Sequence, residues 1–237
     1  MVAVLGGRRV DALLPGRLGR ILFVYLVVNR TRDVLSDELV DALWPVDPPG
    51  GADGTLRTLV SRVRGAVGSD TLGRGGRYRL DLPADVHVDF EAALDAIHRA
   101  ETAIASEEWR RAWGPAQVAL FTARRGFLPG DEAPWIDDRR RILSEVELRA
   151  LECYVAASLG VGGRELPDAE RAARRLVERE PFRESGHRLL MRVLAERGNV
   201  ADALRVYQSL AVLLRDELGV DPSPATKELH TSLLAIE

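Results

Sequence analysis

Between residues 52 and 67 the chain carries three arginines and three small hydroxyl side chains at spacings suited to contact with a nucleic-acid duplex. At 3.6 residues per turn, Gly54, Thr58, Ser61, Arg62 and Gly65 share one side of a helix, opposite Leu56, Leu59, Val60, Val63 and Val67. Small residues around one guanidinium let a helix come close to base edges, and Arg62 is placed to donate to O6 and N7 of guanine. Arg57 and Arg64 share one flank and Thr55 lies on the other, where they suit phosphates, which fix register without reading sequence. Downstream, GRGGRYRL sets Arg74, Arg77 and Arg79 around a glycine turn, so that a wing arginine meets the backbone or minor groove. Tyr78 and Leu80 are read as facing opposite ways, with Tyr78 inward. Alone, the helix also suits a solvated surface with spare arginines; its neighbours decide between the two.

Those neighbours follow in a fixed order. Val2 to Leu5, Gly6-Gly7 and Arg9 to Leu13 read as a short hairpin. A helix from about Arg17 to Asn29 has Ile21, Leu22, Tyr25, Leu26 and Val28 on its apolar side. Val34-Leu35 is a short strand. Ser36 is expected to cap the next helix, whose first turn holds Asp37 and Glu38 at its positive end. Leu39, Val40, Leu43 and Trp44 form its buried stripe. Pro45, Asp47, Pro48, Pro49 and Gly50-Gly51 make a stiff loop before the basic helix Ala52–Val67. Thr71 to Leu80 gives two strands around Gly75-Gly76, and Pro83 to Val88 is a linker or a last strand. This is the layout of a winged helix-turn-helix, which puts one helix in a major groove and a hairpin against the adjoining backbone.

From Asp89 onward the pattern is helical, with helices expected at 89–105, 108–124, 135–159, 167–179, 183–197, 200–217 and 223–235. A partial repeat at an offset of 34 sets Cys153, Ala156, Ala157, Ala169, Ala173 and Leu176 against His187, Leu190, Met191, Ala203, Tyr207 and Leu210. That is the period of tetratricopeptide helix pairs, which stack into curved surfaces for protein or peptide. The fold class is therefore mainly α: a winged helix-turn-helix with small antiparallel sheets over 1–88, then an all-α, tetratricopeptide-like domain over 89–237.

Charge divides a few residues earlier. Residues 1–80 hold 12 arginines against 8 acids, and the remainder holds 21 basic against 28 acidic residues, giving the overall −3. A basic head on an acidic body fits a DNA module joined to a protein-contact module. The single cysteine, Cys153, reads as a buried structural thiol and fits a reducing cytosol. No apolar run reaches the roughly 18 residues of a membrane span, so a cytoplasmic location is expected.

Nothing points to catalysis, a cofactor or a metal. His87, His98, His187 and His230 are scattered, without close acids or cysteines at ligand spacing. Asp137-Asp138 and Glu145/Glu147 lie among Arg139, Arg140, Arg141 and Arg149 and read as an ion-paired, solvated face. The glycines of the wing lack the Gly-Lys-Ser/Thr ending of a phosphate cradle. Gly160 to Gly163 fails the same test and reads as a loop between helices.

The stretch LSDELVDALWPVDPPGGADGTLRTLVSRVRGAVG resembles the OmpR-type DNA-binding domain of the actinobacterial antibiotic regulatory proteins, the SARP family. Residues Asp89 to Leu234 resemble the bacterial transcriptional activation domain that follows it, most visibly in EPFRESGHRLLMRVLAERGNVADALRVYQSLAVLLRDELGVDPSPATKELHTSLL. The resemblance implies an activator that binds direct repeats near promoters, as a homodimer on DNA, and recruits RNA polymerase. By position it implies that Thr55, Arg57, Thr58, Arg62 and Arg64 face DNA, that Arg74 is the wing arginine, and that Pro45 to Gly51 is the polymerase-contacting loop. Against the family, the first strand of the N-terminal sheet is missing, with Met1 close to the second. Gly54 and Gly65 interrupt the basic helix at about 1 kcal/mol each against alanine, and Asp53 puts an acid near the phosphates. These departures leave open a rival reading: a non-enzymatic ligand- or protein-binding module whose winged helix has lost its grip on DNA.

Overall fold

Apolar periodicity organises the N-terminal part of the molecule. The computed structural model describes residues 3–5, 7–68, 71–73, 76–83 and 86–235. Val2, Gly6, Arg74 and Gly75, invoked above, lie outside the described residues. Helix α1 (Gly16–Val28) buries Ile21, Leu22, Phe23, Tyr25 and Leu26. Helix α2 (Ser36–Leu43) buries Leu39, Ala42 and Leu43, and α3 (Ala52–Val67) buries Leu56, Val60, Val63, Ala66 and Val67. The three stripes meet in one core with Val34, Leu72, Tyr78 and Leu80.

Strands β1 (Val4–Leu5) and β2 (Arg8–Arg9) form an antiparallel hairpin. Its second arm is shorter than expected, because Asp11–Leu13 winds into a single 3-10 turn. Strand β3 (Val34–Leu35) pairs antiparallel with β4 (Arg77–Tyr78), Val34 opposite Tyr78 and Leu35 opposite Arg77. Among the described residues the expected hairpin over 71–80 is held by the bridge between Leu72 and Leu80, with Gly73 N–H donating to Arg79 O at 3.1 Å and Asp81 N–H to Thr71 O at 2.7 Å. Tyr78 and Leu80 are both buried, at 6% and 1% exposure. The expectation of opposite faces fails because side chains two apart on a strand share a face. No strand occurs among the described residues of 83–88.

The rest is helical: α4 (Asp89–Ala105), α5 (Trp109–Arg124), α6 (Pro134–Val161), α7 (Leu166–Arg179), α8 (Glu184–Glu196), α9 (Val200–Leu218) and α10 (Pro224–Leu234). Alanines dominate the α4 and α5 contact, with Ala93, Ala96, Ala100, Ala112, Ala116 and Ala119 all fully buried; small side chains let helix backbones approach closely. Helices α7, α8 and α9 pack in succession, with Val155 of α6 in their shared core. Helix α6 runs on through Gly160, so the loop expected at Gly160–Gly163 starts later. A Cβ at Gly160 would collide with the Trp109 ring, which explains a glycine in the last turn of a helix. Among the described residues no helix is long and apolar enough to cross a membrane.

Two compact units result: Met1–His87 with Phe127–Arg141, and Val88–Gly126 with Ile142–Glu237. Part of the span read as the second domain thus belongs with the first unit. Arg140 shapes that segment by donating to the carbonyls of Phe127 (3.0 Å), Leu128 (2.6 Å) and Asp131 (2.7 Å). Trp135 then stacks edge-on to Tyr25 of α1, ring centroids 4.9 Å apart, and its indole N–H donates to the Ala42 carbonyl at 3.1 Å. Asp131 accepts from Arg17 at 2.6 Å.

Candidate nucleic-acid interface

The helix-turn-helix is α2, the Pro45–Gly51 loop and α3. Ser36 does not cap α2. It is the first helical residue, after Leu35, and its hydroxyl reaches the Gly76 carbonyl at 3.4 Å, tying the wing to the start of α2. Glu38, in the first turn, accepts from the Tyr25 hydroxyl at 2.6 Å and from Arg32 through both carboxylate oxygens. Bonding to Arg32, with help from Tyr25, holds the Glu38 carboxyl below the usual carboxylate range, although burial opposes it. Burial, and then Glu38, pushes the Tyr25 phenol up to about 12. The α1–α2 junction is therefore fixed by a charged cluster as well as by packing.

Pro45, Asp47, Pro48 and Pro49 are all exposed. Between them Val46 is 92% exposed. Gly51 adopts φ 76°, a left-handed turn that favours glycine, and leads directly into α3.

Helix α3 is unbroken across both of its glycines. Gly54, Thr58, Ser61, Arg62 and Gly65 are all exposed, and a Cβ at Gly54 or Gly65 would meet nothing within 4 Å. The face they form is therefore open. Thr58 donates back to the Gly54 carbonyl at 3.0 Å. Thr55 and Arg57 are exposed on the flanks. Arg57 and Arg62 make no ion pair or hydrogen bond among the described residues, so both guanidinium groups are available to a ligand.

Arg64 differs from its expected neighbour Arg57. It is half-buried and donates to two carbonyls at the root of the wing, Leu72 (3.2 Å) and Gly73 (2.7 Å). Arg8 of β2 reaches the last turn of the basic helix, donating to the Ala66 carbonyl at 2.8 Å. An arginine bonded to a distant backbone carbonyl leaves no sequence pattern, so spacing predicts neither contact. Arg77, on β4, is exposed. The structure thus groups Thr55, Arg57, Thr58, Ser61 and Arg62 on the free surface of α3, with Arg64 as the link to the wing.

The carboxylate pairs expected to lie on a solvated face divide. Asp137 pairs with Arg140 at 3.0 Å and Asp138 pairs with Arg141, one turn apart in α6. Glu147 is buried, at 7% exposure, and bonds to Arg124 and Arg179 from neighbouring helices. Its partners come from α5 and α7 because the helical unit folds over it. His187 is buried with Nε2 at 2.9 Å from the Pro181 carbonyl, and His230 stacks on Tyr207 at 3.8 Å.

The model of the family described as "Bacterial transcriptional activator domain" matches residues 88–234. The chain belongs to this family. Its regulators of the SARP type include several similar proteins. The chain is 34% identical over 216 residues to "Regulatory protein AfsR" of Streptomyces griseus, covering 91% of this chain and 22% of that protein. It is 28% identical over 261 residues to "Transcriptional regulator RedD" of Streptomyces coelicolor, covering 99% of this chain and 70% of the relative. With "Transcriptional regulatory protein EmbR" of Mycobacterium tuberculosis the identity is 28% over 236 residues, covering 91% and 57%. A solved structure of Mycobacterium tuberculosis EmbR in complex with a low affinity phosphopeptide superposes with a TM-score of 0.77 at 24% identity, covering 96% of this chain and 61% of that one. The fold of this bacterial transcriptional activator domain protein is accordingly a winged helix-turn-helix followed by helical pairs. The chain spans about a fifth of the length of the AfsR relatives and 57% of EmbR.

Proposed function

We propose that the chain is a non-enzymatic, sequence-specific DNA-binding transcriptional activator that lays α3 in the major groove and recruits RNA polymerase. The observation that carries this reading is the open face of α3, where small side chains surround an unpaired Arg62. Arg62 reads a guanine edge. Thr55 and Arg57 position the helix through phosphates, Thr58 and Ser61 line the face that approaches the bases, Arg64 holds the wing beside that face, and Arg77 with Arg74 meets the backbone or minor groove at the wing. The exposed loop of Pro45, Asp47, Pro48 and Pro49 contacts RNA polymerase. DNA contact belongs to the module spanning 1–88 and protein contact to 89–237, with a homodimer on direct repeats near promoters. The regulators named above, AfsR, EmbR and RedD, support the transcriptional part of this reading.

The test is a mobility-shift titration of the chain on duplex from upstream of its own gene, against random duplex of equal length, over a range of salt. Selective binding that weakens with salt is expected. Equal affinity for both duplexes, or none for either, would replace this reading with that of a ligand- or protein-binding module.

A further inference from the structure

The helical unit carries an open groove of about 680 Å3 lined by α5 and α7, with Tyr154 of α6 also lining it. Two large apolar side chains on α5 stand in water there: Val118 is 49% exposed and Phe121 63%. Leu120 and Ala172 extend the apolar lining. One face of the Phe121 ring carries the Arg125 guanidinium, 4.6 Å from the centroid.

Charge around the groove runs against its surroundings. The chain beyond residue 80 is acidic, with 21 basic against 28 acidic residues. At the groove, Arg124 and Arg175, which line it, share the buried Glu147 with Arg179, at 3.3 Å for Arg124 and 3.9 Å for Arg175. Arg171, also lining it, pairs with Asp168. Three guanidinium groups therefore line the groove against Asp168 and the buried Glu147, which Arg179 also engages from outside it, leaving a surplus of positive charge beside an exposed aromatic ring.

A ligand matching both features needs carboxylates and an apolar side chain within a few residues of each other. We propose that this groove docks an acidic peptide segment of a partner protein, in which a bulky apolar side chain sits among Asp or Glu residues. The apolar side chain packs on Phe121, Val118 and Leu120, and the carboxylates reach Arg171, Arg175 and Arg124. A single exposed ring among aliphatic Val118, Leu120 and Ala172, with the basic side chains interrupted by Asp168 and Glu147, favours this occupant over a single-stranded nucleic acid, which wants successive aromatic platforms and an unbroken basic track. The site is independent of DNA binding by α3.

The experiment is an anisotropy titration of the intact chain, without DNA, against a labelled peptide alternating Glu with Leu and Phe. Saturable binding is expected. Phe121→Ala should weaken it about tenfold, as truncation of an aromatic anchor does, and Arg171→Gln should weaken it as well. Both side chains are largely exposed, at 63% for Phe121 and 74% for the Arg171 side chain, and an unchanged Tm verifies that both variants fold. Replacing Glu by Gln, or Leu and Phe by Ser, should abolish binding. Equal affinity for the serine peptide would reduce the effect to general charge attraction and overturn the proposal. So would unaltered binding by Phe121→Ala, or a single-stranded oligonucleotide that binds the wild type and loses affinity with that substitution.

Discussion

At the scale of single residues, Arg57 and Arg62 lie on the same helix and are both unpaired among the described residues, yet they are assigned different work. Arg62 lies among Gly54, Thr58, Ser61 and Gly65, where a base edge can come close. Arg62→Ala should cost about 1–3 kcal/mol on the preferred duplex and relax preference at one position. Arg57 sits on the flank, so Arg57→Ala should weaken specific and random duplexes alike and flatten the log-affinity against log-salt slope by roughly 0.9. Salt titrations of both variants on both duplexes check this; equal losses for Arg62→Ala on the two duplexes would demote it to a phosphate contact. Cys153 is a second residue whose surroundings set its behaviour. Burial, and then Glu101 and Glu152, push its thiol up to about 12. Since the thiolate is the reactive form, the native chain should be inert to a disulfide reagent near neutral pH and take up one equivalent only when unfolded. Rapid native labelling would show that the thiol is open to solvent.

At the scale of elements, two joints decide whether α3 and the wing are held in place. The first is the cluster of Glu38, Tyr25 and Arg32 between α1 and α2. A carboxyl held below its ordinary range stabilises the fold above its unfolded pKa, and that stability is lost as pH falls through the folded value. Glu38→Gln should therefore lower Tm at neutral pH, with the gap to wild type closing as pH drops below about 4, the unperturbed glutamate range. A gap that stays constant with pH would mean that the cluster contributes by shape alone. The second joint is Arg64, whose guanidinium spans two wing carbonyls. Arg64→Lys keeps the charge and loses the fork. Weakened duplex binding with a nearly unchanged salt slope is expected, because the wing is displaced while the charge remains. A flattened slope in Arg64→Ala together with full affinity in Arg64→Lys would make Arg64 an ordinary phosphate contact. These joints also mark where the sequence was hard to read. The helices were legible because each repeats its apolar residues every three or four positions, and so was the open face of α3. The pairing of Val34-Leu35 with Arg77-Tyr78 was not, since two-residue strands carry no period. Nor was the placing of Ser36, whose hydroxyl serves Gly76, forty residues on, instead of its own helix.

At the scale of the whole molecule, the segment Phe127–Arg141 was the least legible part of the fold. Its pattern is that of a loop and the start of an amphipathic helix, and nothing local marks Trp135 as a partner of Tyr25, more than a hundred residues earlier. Long-range contacts of this kind follow from topology and not from spacing. The consequence is a prediction about where the chain can be cut. A fragment of residues 1–88 loses the edge-on stack of Trp135 on Tyr25, the indole bond to Ala42 and the pairing of Asp131 with Arg17. It should keep the same site preference, since the α3 face lies within it, while unfolding at lower temperature and binding more weakly than the full chain. Trp135→Ala in the intact protein should reproduce part of the deficit, at about 2–3 kcal/mol for a half-buried indole that also donates a hydrogen bond. The complementary fragment 89–237 carries none of the α3 or wing residues and should bind no duplex. Thermal unfolding and duplex titrations of the two fragments, the variant and the full chain test the set together. A 1–88 fragment as stable as the intact winged helix would show that Phe127–Arg141 packs there without supporting it. Duplex binding by 89–237 equal to that of the full chain would move the DNA contact out of α3 altogether.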